Sequence, residues 1–285
     1  MKKILILVIT LMLILLTVVV TTAYTNLHLF RPKIIDVDIG ENLEGISIYD
    51  YKGNQFDLNS IKNKNTAVFY LSDSCQACVD KLYVIDRIID IFKSEEIDFL
   101  LLWENTIPEK RIRKATIEMS RNYYVKDIAL SRIRPYNFIL DKEGKISFCS
   151  YDYKKLINKL FSDIKDTKNL KGKALEYILE SNSINKSKKN ALFFSSDFCE
   201  ECVEIQKRID QNKQLKEEGK IFKMRVENET AVSSLDPLWE PDIDYFGLYA
   251  KVFGISKTPT FFISTQDNSF VETDQYEEIL KLIKE

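Results

Sequence analysis

One thiol motif is spelled twice in this chain of 285 residues, and a proline follows each copy at the same distance. Ser72-Asp73-Ser74-Cys75-Gln76-Ala77-Cys78-Val79 aligns with Ser196-Asp197-Phe198-Cys199-Glu200-Glu201-Cys202-Val203 at an offset of 124 residues. The same offset carries Pro135-Tyr136-Asn137-Phe138-Ile139 onto Pro259-Thr260-Phe261-Phe262-Ile263. A lone Cys-x-x-Cys is ambiguous, whereas two copies with the proline in register imply a duplicated module. The length accommodates two such units at roughly 100–200 residues each.

Ile4 to Ala23 carries no charge, Lys2 and Lys3 precede it, and the next charged residue is Arg31. About 20 apolar residues cross the hydrocarbon core of a bilayer. The expectation is a transmembrane anchor over residues 1–23, with the amino terminus cytoplasmic and everything after it extracytoplasmic. A cleaved signal peptide is the competing reading, but the apolar run is long for one and Thr21-Thr22-Ala23 makes a poor cleavage site. Residues 24–35 are expected to form a stalk, broken from the anchor by Arg31-Pro32 and holding the only histidine, His28.

Residues 36–165 and 166–285 then read as two α/β units. In the first, Ile46–Tyr51 alternates like a strand before the turn Lys52-Gly53-Asn54, and Ala67–Leu71 and Ile97–Trp103 are buried strands. Cys75 opens a helix with Leu82, Ile85, Ile88, Ile89 and Phe92 on one face. A helix is expected over Glu109–Arg121, a strand–turn–strand over residues 138–148 and a closing helix over Tyr153–Asp163. In the second, Ala174–Leu179 is helical and 185–190 a polar loop. Ala191–Phe194 is the strand leading to Cys199, and Val203, Ile205, Gln206 and Ile209 continue a helix. Lys220–Val226 and Thr260–Ser264 are strands, and helices end at Phe253 and cover Tyr276–Ile283. Strand–helix alternation of this kind indicates an α/β fold.

A strand that delivers Cys-x-x-Cys to a helix start has a chemical consequence. Free backbone N–H groups and the helix dipole favour a thiolate there. The first cysteine of each pair, Cys75 or Cys199, is suited to attack a disulfide, and the second, Cys78 or Cys202, to resolve the mixed disulfide. Cys149 has no cysteine at the repeat position, which is Thr273, and reads as a buried free thiol.

On these motifs the chain resembles the thioredoxin superfamily, with Lys257-Thr258-Pro259-Thr260-Phe261-Phe262 the closer match and the first unit similar to the membrane-anchored TlpA/ResA branch. The resemblance implies two thioredoxin-like domains, each a central mixed sheet flanked by helices. It also implies that Pro135 and Pro259 are cis and lie against the cysteine pairs, with Arg134 and Thr258 supporting them. The chain departs from the family pattern at several positions. Ser74 and Phe198 stand where tryptophan is common, Phe69 and Phe193 where thioredoxin has a buried acid, and Arg134 where a threonine or small residue is usual.

The resemblance implies a thiol–disulfide oxidoreductase acting on exported proteins or peptides and reset by a membrane or protein electron carrier. A non-catalytic thioredoxin-like scaffold that binds a partner protein or maturing peptide is the reading from another class. No G-x-G-x-x-G occurs among the eight glycines, so no bound dinucleotide cofactor is expected. No metal is expected: the pairs are too far apart in sequence for a zinc ribbon, and one stalk histidine serves neither copper nor a Cys-His protease. A net charge of −2 gives nucleic acid no purchase. Glu200 and Glu201 oppose a thiolate at Cys199, which predicts a less oxidising second pair. The acidic, aromatic insertion Asp236–Asp242 reads as a rigid loop that brings Trp239 toward substrate if it overhangs Cys199.

Overall fold

The computed structural model describes residues 12–22, 33–181 except 36, 44, 62, 95, 115–116, 127 and 165–166, then 190–212 except 197, and 221–226, 243–244, 247–264 and 270–284. His28 and the insertion around Trp239 lie outside the described residues. Residues 12–22 form a helix, α1, whose apolar side chains are exposed. Among the described residues, no helix is long and apolar enough to cross a membrane.

The elements of the first half, in chain order, are β1 (Lys33–Ile34), β2 (Ile48–Asp50), β3 (Gln55–Phe56), β4 (Asn65–Ser72), α2 (Gln76–Asp80), α3 (Leu82–Phe92), β5 (Ile97–Glu104), α4 (Glu109–Lys114), β6 (Asn122–Val125), β7 (Ile128–Ala129), β8 (Tyr136–Leu140), β9 (Ile146–Ser150) and α5 (Tyr153–Asp163). There follow α6 (Thr167–Ser181), β10 (Ala191–Ser195), α7 (Glu200–Gln211), β11 (Ile221–Val226), β12 (Ile243–Asp244), α8 (Leu248–Phe253), β13 (Thr260–Ser264), β14 (Phe270–Thr273) and α9 (Tyr276–Lys284).

A seven-stranded sheet has the order β3-β2-β6-β5-β4-β8-β9, and a five-stranded sheet the order β12-β11-β10-β13-β14. In the first, β4, β5 and β6 run parallel, β8 pairs antiparallel with β4, and β9 pairs antiparallel with β8. The second repeats that wiring: β10, β11 and β12 are parallel, β13 pairs antiparallel with β10, and β14 pairs antiparallel with β13. In both, the strand entering the cysteine pair is an interior strand of its sheet, paired on both sides. Seven of the eight residues of β4 and all five of β10 are buried. Apolar runs without alternation are what strands covered on both faces require.

Three boundaries differ from expectation. The helix expected over Glu109–Arg121 is described over Glu109–Lys114 and is gone by Ile117, and a 3-10 turn at Met119–Arg121 leads straight into β6. Pairing of Asn122–Val125 with Leu101–Glu104 draws this segment into the sheet, and tertiary pairing overrides local helix propensity. The helix expected over Ala174–Leu179 extends over Thr167–Ser181. Lys33 and Ile34, expected in the stalk, pair with Ile128 and Ala129, so ordered structure begins before residue 36.

Helix α3 explains how the halves meet. Nine of its eleven residues are buried, including Asp86 and Arg87. A helix buried all round is covered on every side. One face packs on the first sheet; the other meets α6, which in turn meets α8 of the second half. One continuous core therefore joins Phe69, Ile85 and Ile88 to Leu170, Ala174, Ile178, Phe194, Met224, Phe253 and Phe262. The opposite face of the second sheet has its own cluster beneath α7 and α9, with Phe193 stacked on Phe261 at 4.6 Å.

Polar groups are buried at this junction. Asp244 is fully buried, and its two carboxylate oxygens accept the Tyr249 and Ala250 backbone N–H groups at 2.7 Å each, capping α8. Burial pushes its pKa up to about 7, against the pull of those hydrogen bonds and of Arg87. The Arg87 guanidinium lies 5.5 Å from the ring centroid of Tyr249, and the Tyr177 hydroxyl donates to Asp86 at 3.2 Å.

Candidate functional site

Each cysteine pair is built by the same local device. Cys75 and Cys199 are extended, at φ −93° and ψ 101° and at φ −101° and ψ 103°, and each caps the helix that follows. The backbone N–H of Cys78 points at Cys75 Sγ (3.2 Å), and that of Cys202 at Cys199 Sγ (3.1 Å). Such an N–H at a helix start stabilises charge on the sulfur it faces. Both pairs are disulfide-bonded, with Cα atoms 5.3 and 5.2 Å apart. Cys78 and Cys202 are buried, whereas Cys75 and Cys199 are half-buried. Only the first sulfur of each pair is open to an incoming disulfide.

The prolines lie where the strand after the site begins. Arg134–Pro135 and Thr258–Pro259 are both cis. Cys75 Sγ is 3.9 Å from the carbonyl oxygen of Arg134. In the second half, Thr258 and Pro259 share a groove with Glu201, two residues beyond Cys199. Gly254 ends α8 in the left-handed conformation (φ 78°), which glycine tolerates without a Cβ clash, and turns the chain back toward this loop. A central parallel strand, Cys-x-x-Cys capping the next helix, and cis-proline opening an antiparallel strand now stand together. This is a thioredoxin-like fold.

Solved thioredoxin-like structures are similar in outline. A thiol:disulfide interchange protein from Bacteroides sp. is 19% identical, with 46% of this chain covering 92% of that one at a TM-score of 0.39. The thioredoxin domain of a Bacteroides vulgatus thiol-disulfide oxidoreductase is 20% identical, over 46% and 100% of the two chains, at 0.36. The exposed lipoprotein thioredoxin Etrx1 of Streptococcus pneumoniae is 14% identical, over 41% and 97%, at 0.31. No protein-family model and no curated protein matches the chain.

The departures from the thioredoxin pattern now have surroundings. Phe69 is fully buried between Phe99 and Tyr153, and Phe193 lies against Phe261, so neither strand position supplies an acid. Phe198 is 83% exposed beside Cys199. Ser74 pairs with Ser72 through their hydroxyls at 2.9 Å. The loop before Cys75 is braced by Thr106, which donates to the Asp73 carboxylate at 3.2 Å, and by Arg111, which donates to the Asp73 carbonyl at 3.3 Å.

Arg134 has a partner that sequence reasoning missed. Glu104, at the end of β5, accepts from its guanidinium at 2.8 Å, with side-chain exposures of 9% for Glu104 and 23% for Arg134. Tyr70 lies beneath, with the Arg134 guanidinium 5.9 Å from its ring centroid. Burial, then the Glu104 charge, raise the pKa of Tyr70. The available signal was an acid closing a buried apolar strand in register with Ser72, three residues before Cys75. Glu104→Ala is expected to lower stability by about 2–3 kcal/mol, because it strands a half-buried cation next to the first site. Replacing both partners, Glu104→Leu with Arg134→Met, should restore most of the loss in a urea-denaturation series.

Cys149, expected to be buried, is a half-buried free thiol on β9, where it stands opposite Phe138 across the strands. Among the described residues, no three His, Cys, Asp or Glu side chains gather as a metal site.

Proposed function

We propose that the chain is a thiol–disulfide oxidoreductase with two thioredoxin-like domains, residues 36–165 and 166–285, each exchanging disulfides through its own cysteine pair. The observation that carries this is the repeated geometry: a half-exposed sulfur capping a helix, faced by a backbone N–H, with its partner sulfur buried one turn on. The charge-free run Ile4–Ala23 behind Lys2 and Lys3 supports tethering by a single membrane span, with both domains extracytoplasmic. Exported proteins or peptides are then the substrates. The β2–β3 hairpin ahead of β4 is consistent with the TlpA/ResA branch for the first domain.

In the reducing direction, the Cys75 or Cys199 thiolate attacks one sulfur of a substrate disulfide. The old S–S bond breaks, a mixed disulfide forms, and the departing thiolate takes a proton. The Cys78 or Cys202 thiolate then attacks the protein sulfur of the mixed disulfide and releases the second substrate thiolate, which is also protonated. The substrate gains two electrons and two protons, and the enzyme pair becomes a disulfide. A membrane or protein dithiol of lower potential restores it, and running the steps backwards oxidises a substrate.

Substituting the buried partner, Cys78→Ser or Cys202→Ser, should leave the mixed disulfide unresolved. The test is non-reducing electrophoresis of the full-length variants after incubation with a disulfide-containing protein such as insulin. A covalent adduct that dithiothreitol releases is the expected result. Its absence in both variants, with no insulin reduction by the parent chain, leaves the binding-scaffold reading instead.

The two sites should differ in potential. Glu200 and Glu201 occupy the first turn of α7, whereas Gln76 and Ala77 are uncharged. Equilibration of each single-site variant with glutathione is expected to place Cys199–Cys202 at least about 30 mV lower, tenfold for a two-electron couple. An equal or higher potential there refutes this.

A further inference from the structure

The two cysteine pairs differ in the charge between their sulfurs, with Glu200 and Glu201 in the second and Gln76 and Ala77 in the first. Beside the second pair, a groove of about 530 Å³ runs from Glu201 to the Thr258–Pro259 loop. Among the described residues, its charged lining is four carboxylates, Glu201, Glu204, Asp274 and Glu277, against two cations, Arg208 and Lys257. Both cations are already matched. Arg208 is ion-paired with Glu277, and Lys257 with Asp274 at 2.5 Å. The Lys257 ammonium holds the Asp274 carboxyl below its ordinary range. The groove is therefore left with the charges of Glu201 and Glu204. The contact of Glu204 with Lys207, 3.5 Å long and largely solvent-exposed, offsets little of this.

Resting on the exchange activity proposed above, we propose that the second site selects disulfides carried on basic peptide segments. A lysine or arginine flanking the substrate cysteine sets its cation against Glu201 and Glu204 while the neighbouring sulfur meets Cys199. Glu201 follows Cys199 by two residues and shares the groove with the cis-proline loop, so charge recognition and sulfur presentation occur on one surface. Acidic flanks meet repulsion in the same place, and specificity gains from that penalty as much as from attraction. The first pair has Ala77 at the position of Glu201 and keeps an acid only at Asp80, the counterpart of Glu204, which accepts from the Gln76 amide at 2.7 Å.

The test uses the full-length chain carrying Cys75→Ser and Cys78→Ser, so that only the second pair reacts. Two disulfide peptides, identical except for lysine or glutamate flanks, are compared with bis(2-hydroxyethyl) disulfide, which carries no charge. The expected kcat/KM for the basic peptide exceeds that for the acidic one by roughly tenfold at low ionic strength. The difference should collapse in roughly 0.5 M salt, where charges several ångströms apart are screened. Glu201→Gln with Glu204→Gln should bring the ratio close to one. The ratio is the readout, because any effect of Glu201 on the reactivity of Cys199 multiplies both peptides alike. Equal rates, or a preference for the acidic peptide, overturn the proposal. The same peptides with serine in place of cysteine, titrated against this chain, read the groove without chemistry. A basic preference in binding with no turnover of the uncharged disulfide sinks the exchange activity and leaves the selectivity standing. No preference in binding sinks the selectivity itself.

Discussion

Serine at both Cys75 and Cys199 is expected to reduce disulfide exchange to the uncatalysed background, while either substitution alone leaves the activity of the other site. The reason is chemical rather than steric. The helix-start N–H groups, 3.2 and 3.1 Å from the two sulfurs, stabilise a thiolate, and a serine hydroxyl at the same place remains protonated near neutral pH. Because each sulfur caps its helix, serine preserves the cap and the fold should survive. An insulin-reduction assay on the full-length single and double variants, with far-ultraviolet circular dichroism as the folding control, gives the answer. Activity in the double variant would place the chemistry elsewhere. Loss of all activity in one single variant would show that the two pairs act in series.

The second large effect is expected at the junction of the halves. Arg87→Ala removes a buried cation that lies over the Tyr249 ring and pulls electrostatically on the Asp244 carboxyl. Losing that buried charge beside Asp244 should cost about 3–5 kcal/mol, read from the denaturant midpoint. Asp244 adds a pH dependence whose sign follows from its raised pKa. With a folded value of about 7 against an ordinary 3.8, the folded state holds the proton more tightly than the unfolded chain. This contribution to stability is fully present below about pH 4 and is lost as pH rises to about 7, an effect of at most about 4 kcal/mol. Asp244→Asn should flatten that part of the stability profile, and an unchanged slope between pH 4 and 7 would falsify the assignment to this carboxyl.

Much of the site was legible in the chain because its signals are local. Cys-x-x-Cys after a buried strand names both the sulfurs and the helix they cap, and β4, β8, β10 and α5 follow directly from apolar runs and periodicity. The misread segments are those in which distant partners decide the outcome. Asn122–Val125 became a strand because β5 was there to pair with it, and Lys33–Ile34 because β7 was. Glu104 was overlooked because its partner, Arg134, lies thirty residues away and the two meet only across the sheet. Helix α3 carried a warning in its sequence: Val84 and Ile91 fall off the stripe formed by Leu82, Ile85, Ile88, Ile89 and Phe92, and a helix with one covered face has no use for them.

The sequence by itself determined where the sulfurs lie, since covalent identity and spacing place two of them one helical turn apart in each half. Only the tertiary structure decided how the halves join and which charges surround each pair. Burial of both faces of α3 and the pairing of Arg208 and Lys257 with their carboxylates depend on segments far apart in the chain, brought together by packing that no local pattern encodes.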